Sequence, residues 1–247
     1  MPTISQIKQQ AKQHLINIKG KYALYAIAII LLLTNLLLNV AENVGLLLSL
    51  LTTFLLLFFT LSANLIMLTA IRKGHKEVHF SQNQLAFSYP YFRPLIRLFL
   101  LEFAILTGLS LISFIGGELI GLSSYLLTID SHSYYPLMIG ILGVIITLLS
   151  LLALISFYYG YRMATYITFD ALHQNANADN GSIASLKQSL QMMKGHKWQL
   201  FLLDLSFIGW YVLTLVTFGL MLIPLIPYKS VSEIVFYQSL IKTKKKA

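Results

Sequence analysis

The chain has no cysteine and little charge: 11% of its 247 residues, nine acids against eighteen Lys and Arg. The first absence excludes disulfides, thiolate metal sites and a cysteine nucleophile. The second excludes an ordinary soluble domain, in which about a quarter of residues are charged. Catalytic signatures are missing too. There is no Gly-rich phosphate loop, serine elbow or carboxylate pair, so an enzyme is not expected and no cofactor is implied. His75-Lys-Glu-Val-His79 has two histidines four apart, but Lys76 stands where a zinc protease needs its glutamate, beside other cations. It reads as a solvated basic loop, and no metal site is expected.

What is present is apolar, 57% of the chain, in runs such as Ile29–Leu33 and Thr52–Leu61. A membrane β-barrel would alternate over short segments. Crossing the hydrocarbon core takes roughly 20 apolar residues per helix. The expected fold is therefore all-α: a polytopic membrane helix bundle of about six transmembrane helices with amphipathic interfacial helices, forming one integral membrane domain over 1–247.

Its parts read in order. An interfacial helix fills 1–21, with Ile4, Ile7, Ala11, Leu15 and Ile18 at helical spacing and Thr3 and Gln6 as a capping box. A first hairpin of spans fills 22–70, turning at Ala41–Val44. A basic cytoplasmic loop fills 71–97, with a second capping box at Ser81 and Gln84 that starts a short helix ending before Pro90. The second hairpin, 98–159, has a span over Leu98–Ile115, a bend at Gly116, Gly117 and Gly121, and a further span from Leu137. A basic segment, 160–198, carries another interfacial helix with Ile183, Leu186, Leu190 and Met193 as its stripe and Gly195 as its stop. The third hairpin, 199–241, turns at Phe218-Gly219 and is kinked or broken at Pro224 and Pro227. The basic tail is 242–247.

Charge placement sets the orientation. Every Lys and Arg except Lys229 falls in the N-terminal segment, the 71–97 loop, the 160–198 segment or the tail, while the opposite turns hold Glu42, Asp130 and Glu118. By the positive-inside rule both termini are cytoplasmic. The expected partners are anionic lipid headgroups at that face and another membrane protein, not nucleic acid. An internal echo, Lys12-Gln13-x-Leu15-x-x-Ile18-Lys19-Gly20 against Lys187-Gln188-x-Leu190-x-x-Met193-Lys194-Gly195, fits either a repeat or shared lead-in chemistry before two spans.

Three blocks, Ser185–Trp198, Leu203–Trp210 and Leu222–Tyr228, make the chain similar to a family of integral membrane proteins from Gram-positive bacteria catalogued as domain of unknown function number 975. The resemblance runs the length of the chain and departs around Leu109–Pro136, where a shorter link between the third and fourth spans is expected. It implies a multi-pass protein of the bacterial cytoplasmic membrane and supplies no activity.

Charges inside apolar runs are the candidate functional groups, because each costs roughly 2.5–3.5 kcal/mol at a span centre. Asp204 lies in the fifth span. Lys229 and Glu233 lie four apart in the sixth, on one helix face. Antiparallel packing gathers Asp204, Lys229 and Glu233 into one cluster, either a structural ion pair that fixes register or an ion or substrate site. Glu102 and Arg97, expected to pair or face water, and Arg162, expected as an interface anchor, are secondary candidates. Glu118 is the weakest. The leading functional expectation is a non-enzymatic accessory or partner-binding factor of the cell envelope; the alternative is a carrier for an ion, lipid or small solute.

Overall fold

The computed structural model describes residues 1–40, 46–129, 134–174 and 181–244. The expected turn at Ala41–Val44, most of the Asp130–Pro136 loop, Asn180 and the last lysines of the tail lie outside the described residues. The described chain is helical: α1 (Ile4–Asn17), α2 (Lys21–Val40), α3 (Leu46–Lys73), α4 (Phe92–Ile129), α5 (Tyr135–Tyr161), α6 (Ala164–Gln174), α7 (Ser182–Met192), α8 (Lys197–Leu205), α9 (Ile208–Val216) and α10 (Leu222–Lys244). Five stretches are long and apolar enough to cross a membrane: α2, α3, α4, α5 with α6, and α8 with α9. The fold is an all-α helical bundle of membrane-protein composition. The sixth apolar segment, α10, is not among those five. Lys229, Glu233, Gln238 and three serines dilute its apolar content, and its buried residues face protein.

The contacts divide the chain into two compact units: one of Met1–Leu95, Thr168–Asp179 and Trp198–Ala247, the other of Ile96–Ile167 and Asn180–Lys197. In the first unit α10 is the central element, packed by α1, α2 and α3, with Val231, Ile234, Phe236 and Tyr237 almost wholly buried. Burial on α2 and α3 is concentrated near their charged ends, at Leu24, Tyr25 and Ala28 and at Leu65, Met67 and Leu68. Their other ends expose Leu36, Leu37, Leu47 and Leu51. That gradient fits a helix pair sheathed by lipid at one end and by protein at the other.

The capping box of α1 is present as expected: Thr3 Oγ1 accepts from Gln6 N–H at 3.3 Å, and Gln6 Oε1 accepts from Thr3 N–H at 2.9 Å. The apolar stripe of α1 is also the buried one, with Ile7, Ala11, Leu15 and Ile18 at 9% exposure or less. What covers it is α10. The second capping box sits two residues earlier than expected. Gln82 accepts from His79 N–H at 3.2 Å, and two short 3-10 turns, Phe80–Gln82 and Leu85–Phe87, replace the expected helix. Phe87 then packs on Phe58 and Phe59 of α3.

The second unit corrects the expected bend. α4 runs unbroken for 38 residues through Gly116, Gly117 and Gly121. Gly116 and Gly143 instead let α4 and α5 touch backbone to backbone. A Cβ on Gly143 would lie 2.7 Å from the Gly116 carbonyl oxygen, and one on Gly116 would lie 2.8 Å from the Thr147 amide nitrogen. Ser123 Oγ also donates to the Pro136 carbonyl at 2.5 Å. Small residues at the contact are how membrane helices approach closely without a hydrophobic drive between them. At the far end of α5, Ser189 of α7 donates to the Gly160 carbonyl at 2.8 Å. Leu98, Ala164 and Leu186 form the buried cluster there. The echo between the two lead-in helices extends to conformation: Gly20 after α1 has φ +79° and Gly195 after α7 has φ +82°.

Two further corrections concern the third hairpin. The fifth span is two helices, α8 and α9, interrupted at Ser206 and Phe207. The sixth is not broken at its prolines. Pro224 falls in the first turn of α10, where no intrahelical donor is needed, and the helix continues through Pro227.

Candidate functional site

The interruption between α8 and α9 is occupied from α1. Lys8 Nζ donates to the Ser206 carbonyl at 3.1 Å and lies 4.6 Å from the centre of the Phe207 ring. A cation on the free carbonyls of a helix end is favourable twice over, as hydrogen bond and against the helix dipole. Burial pushes the Lys8 amine below the ordinary lysine value. Nothing in its own helix points to a break two hundred residues away, and the sequence reads Lys8 only as part of the interfacial helix over 1–21.

Two of the three residues of the expected cluster are brought together. Lys229 Nζ lies 3.6 Å from Asp204 Oδ1 and donates to Tyr211 Oη at 2.9 Å. The pair ties α8 and α9 to α10. Glu233, one turn on, lies close enough to Tyr25 of α2 for its charge to act on that phenol. Tyr25 is fully buried and donates to Asn64 Oδ1 of α3 at 2.8 Å. The predicted patch is therefore distributed along α10, with its acid and its base serving different neighbours.

A second polar cluster had not been expected. Arg72, at the end of α3, donates to both oxygens of Asp170 on α6, at 2.5 and 2.9 Å. Tyr237 of α10 donates to the same Asp170 Oδ2 at 2.8 Å, and the Arg72 guanidinium stands 5.9 Å from the Tyr237 ring centre. Three helices thus meet on one carboxylate. The signal available in the sequence was an acid inside the apolar run Met163–Leu172. That run lies within the basic segment 160–198, whose charge pattern points to a loop rather than to a buried carboxylate.

In the second unit Glu102 does not face water. It is 9% exposed, and its Oε1 has no hydrogen-bond partner among the described residues. Arg97 is exposed on the same helix. Arg162 donates to Tyr158 Oη at 3.3 Å and stacks on that ring at 5.4 Å, the geometry of an interface anchor. Among the described residues no group of three His, Asp or Glu could hold a metal ion.

One family model matches residues 1–244, under the description "Protein of unknown function (DUF975)". No curated protein and no solved structure matches the chain.

Proposed function

The chain belongs to that family, whose description assigns no activity, and from that premise we propose that it is a non-enzymatic accessory factor that binds another component of the bacterial cytoplasmic membrane. The observation that carries this reading is the use made of the charges in the first unit. Arg72 is held by Asp170, and Lys229 by Asp204 and Tyr211. These groups join helices, as scaffold charges do, and their opposite signs are consumed in doing so.

Both ends lie on the cytoplasmic side in this reading. Met1 and Pro2 line the same cavity as Gln238, Lys242 and Thr243, so the start and end of the described chain share one face. That shared face supports an even number of crossings, with α10 counted beside the five longer apolar stretches, and the basic loops choose the side. A reporter joined after Ala247 reads cytoplasmic and one inserted near Ser131 reads external. The opposite pair of results would overturn the orientation.

The functional test is to extract the tagged protein from its own membrane in a detergent-free lipid particle and identify by mass spectrometry what accompanies it. A stoichiometric protein partner is the expected result. A particle free of other protein and enriched in one lipid or solute favours the carrier reading instead. One observation supports that second reading, the buried Glu102 carboxyl with an oxygen that has no partner among the described residues, since such a group can take up a proton or cation. Glu102→Gln abolishes transport if that reading holds and leaves partner binding untouched if the first one does.

A further inference from the structure

We infer that Glu118 on α4 is an intramembrane docking point for a transmembrane helix of another protein that carries a lysine or arginine at matching depth. This rests on the accessory reading and names its surface and the chemistry of its partner.

Depth comes from the register of α4 on α5. Gly116 lies against Gly143 and Thr147, and Ser123 lies against Pro136 and Gly140. These contacts put Glu118 level with the stretch of α5 just before Gly143. Tyr134 and Tyr135 mark one end of α5 and Tyr158, Tyr159 and Tyr161 the other, the placement of interfacial aromatic belts. Counting helical rise along α5, Glu118 lies about 11 Å from the first belt and about 24 Å from the second. Both ends are too far for a glutamate to reach headgroups.

Direction comes from the same contacts. Gly116 and Ser123 face α5, which turns Glu118 to the opposite side of α4. There it is exposed, in line with exposed Leu111, Ile115, Leu122 and Tyr125. It has no hydrogen bond or ion pair among the described residues. Beside it run Gly117 and Gly121, and a Cβ on either would meet nothing. A carboxylate on a lipid-facing surface is costly unless another helix supplies its counter-charge. The adjacent small residues leave room for that helix to come close.

Charge complementarity selects the occupant. A second copy docking through this face would set carboxylate against carboxylate. It could offer no cation from its own exposed spans, because neither 22–70 nor 98–157 contains Lys or Arg. A different protein with a basic side chain inside its span supplies what Glu118 lacks.

The test is site-specific photo-crosslinking of the full chain in its native membrane, with the crosslinking residue at Gly121 and, as control, at Leu149 on the exposed side of α5. The expected result is an adduct from position 121, and not from 149, to an apolar segment of another protein containing Lys or Arg. Glu118→Leu lowers its yield about tenfold, with Glu118→Gln intermediate and the thermal midpoint of the purified protein unchanged in both. Glu118→Lys, combined with the partner's basic residue changed to Glu, restores it. Lipid adducts alone, an adduct to a second copy, a partner segment without a basic residue, or a yield indifferent to Glu118→Leu would each overturn the inference. A stoichiometric partner that crosslinks elsewhere leaves the accessory function standing and removes Glu118 from it. The absence of any stoichiometric partner removes both.

Discussion

Arg72 and Asp170 are joined by two parallel hydrogen bonds across 98 residues of sequence, with Tyr237 of α10 bonded to the same carboxylate. The side chains of the pair are 34% and 19% exposed, so the cost of about 3–5 kcal/mol for breaking a fully buried pair does not apply. Charge-assisted hydrogen bonds at partly screened sites indicate about 1–2 kcal/mol for Asp170→Asn. The check is the thermal midpoint in lipid nanodiscs, with Tyr237→Phe and the double variant. The two losses should be less than additive because both act on one carboxylate; strict additivity would mean that the three groups do not form a unit.

The Asp204–Lys229 pair gives a different expectation, because removing both charges together leaves nothing unpaired. Asp204→Asn alone and Lys229→Met alone each lower stability by about 1–2 kcal/mol. The double variant recovers most of that loss, and with it partner binding. If stability returns while function does not, the charges do more than hold α8 and α9 on α10, and the carrier reading gains its two best residues.

Much of this architecture was legible in the sequence because it depends on periodicity and charge. The starts of α1 and α2, the Gly195 stop, the inner stripe of α1 and the Asp204–Lys229 contact all follow from spacing within one or two helices. What was not legible depends on what a helix meets. Gly116 reads as part of a bend but serves, with Gly143 of α5, as a contact, since a sequence gives no sign that a facing helix needs the space. Asp170 and Lys8 were invisible as site residues for the same reason: their partners are Arg72, 98 residues away, and Ser206, 198 residues away. Pro224 and Pro227 suggest a kinked or broken span. The first falls where a helix tolerates proline, and the helix simply runs on through the second.

The opposed roles of the α4 glycines make a prediction with its own control. Gly143→Val places two methyl groups into the Gly116 carbonyl and Ile120, an overpacking worth about 1–3 kcal/mol of destabilisation. Gly117→Val, one residue round from Gly116 and opening on free space, changes stability by less than about 0.5 kcal/mol. Both are measured as thermal midpoints of the purified protein. Equal losses would mean that α4 and α5 do not meet at Gly116 and Gly143.

The packing of α1 on α10 carries a pH dependence whose sign is fixed by His14. Burial, and after it the positive charge of Lys242, pushes the His14 imidazole below its ordinary value near 6.5. His75 and Lys76 line the same cavity and add no acid to hold a proton there. The folded protein therefore keeps His14 neutral at a pH where the unfolded chain has begun to bind a proton. Stability from this site is present above about 6.5 and falls as the pH drops below it, because in that window the unfolded state holds more protons. The thermal midpoint should decline between pH 7.5 and 5.5, and His14→Gln should flatten part of that decline without lowering the midpoint at pH 7.5. An unchanged slope in His14→Gln would assign the acid sensitivity to another group and leave the α1–α10 contact indifferent to protonation.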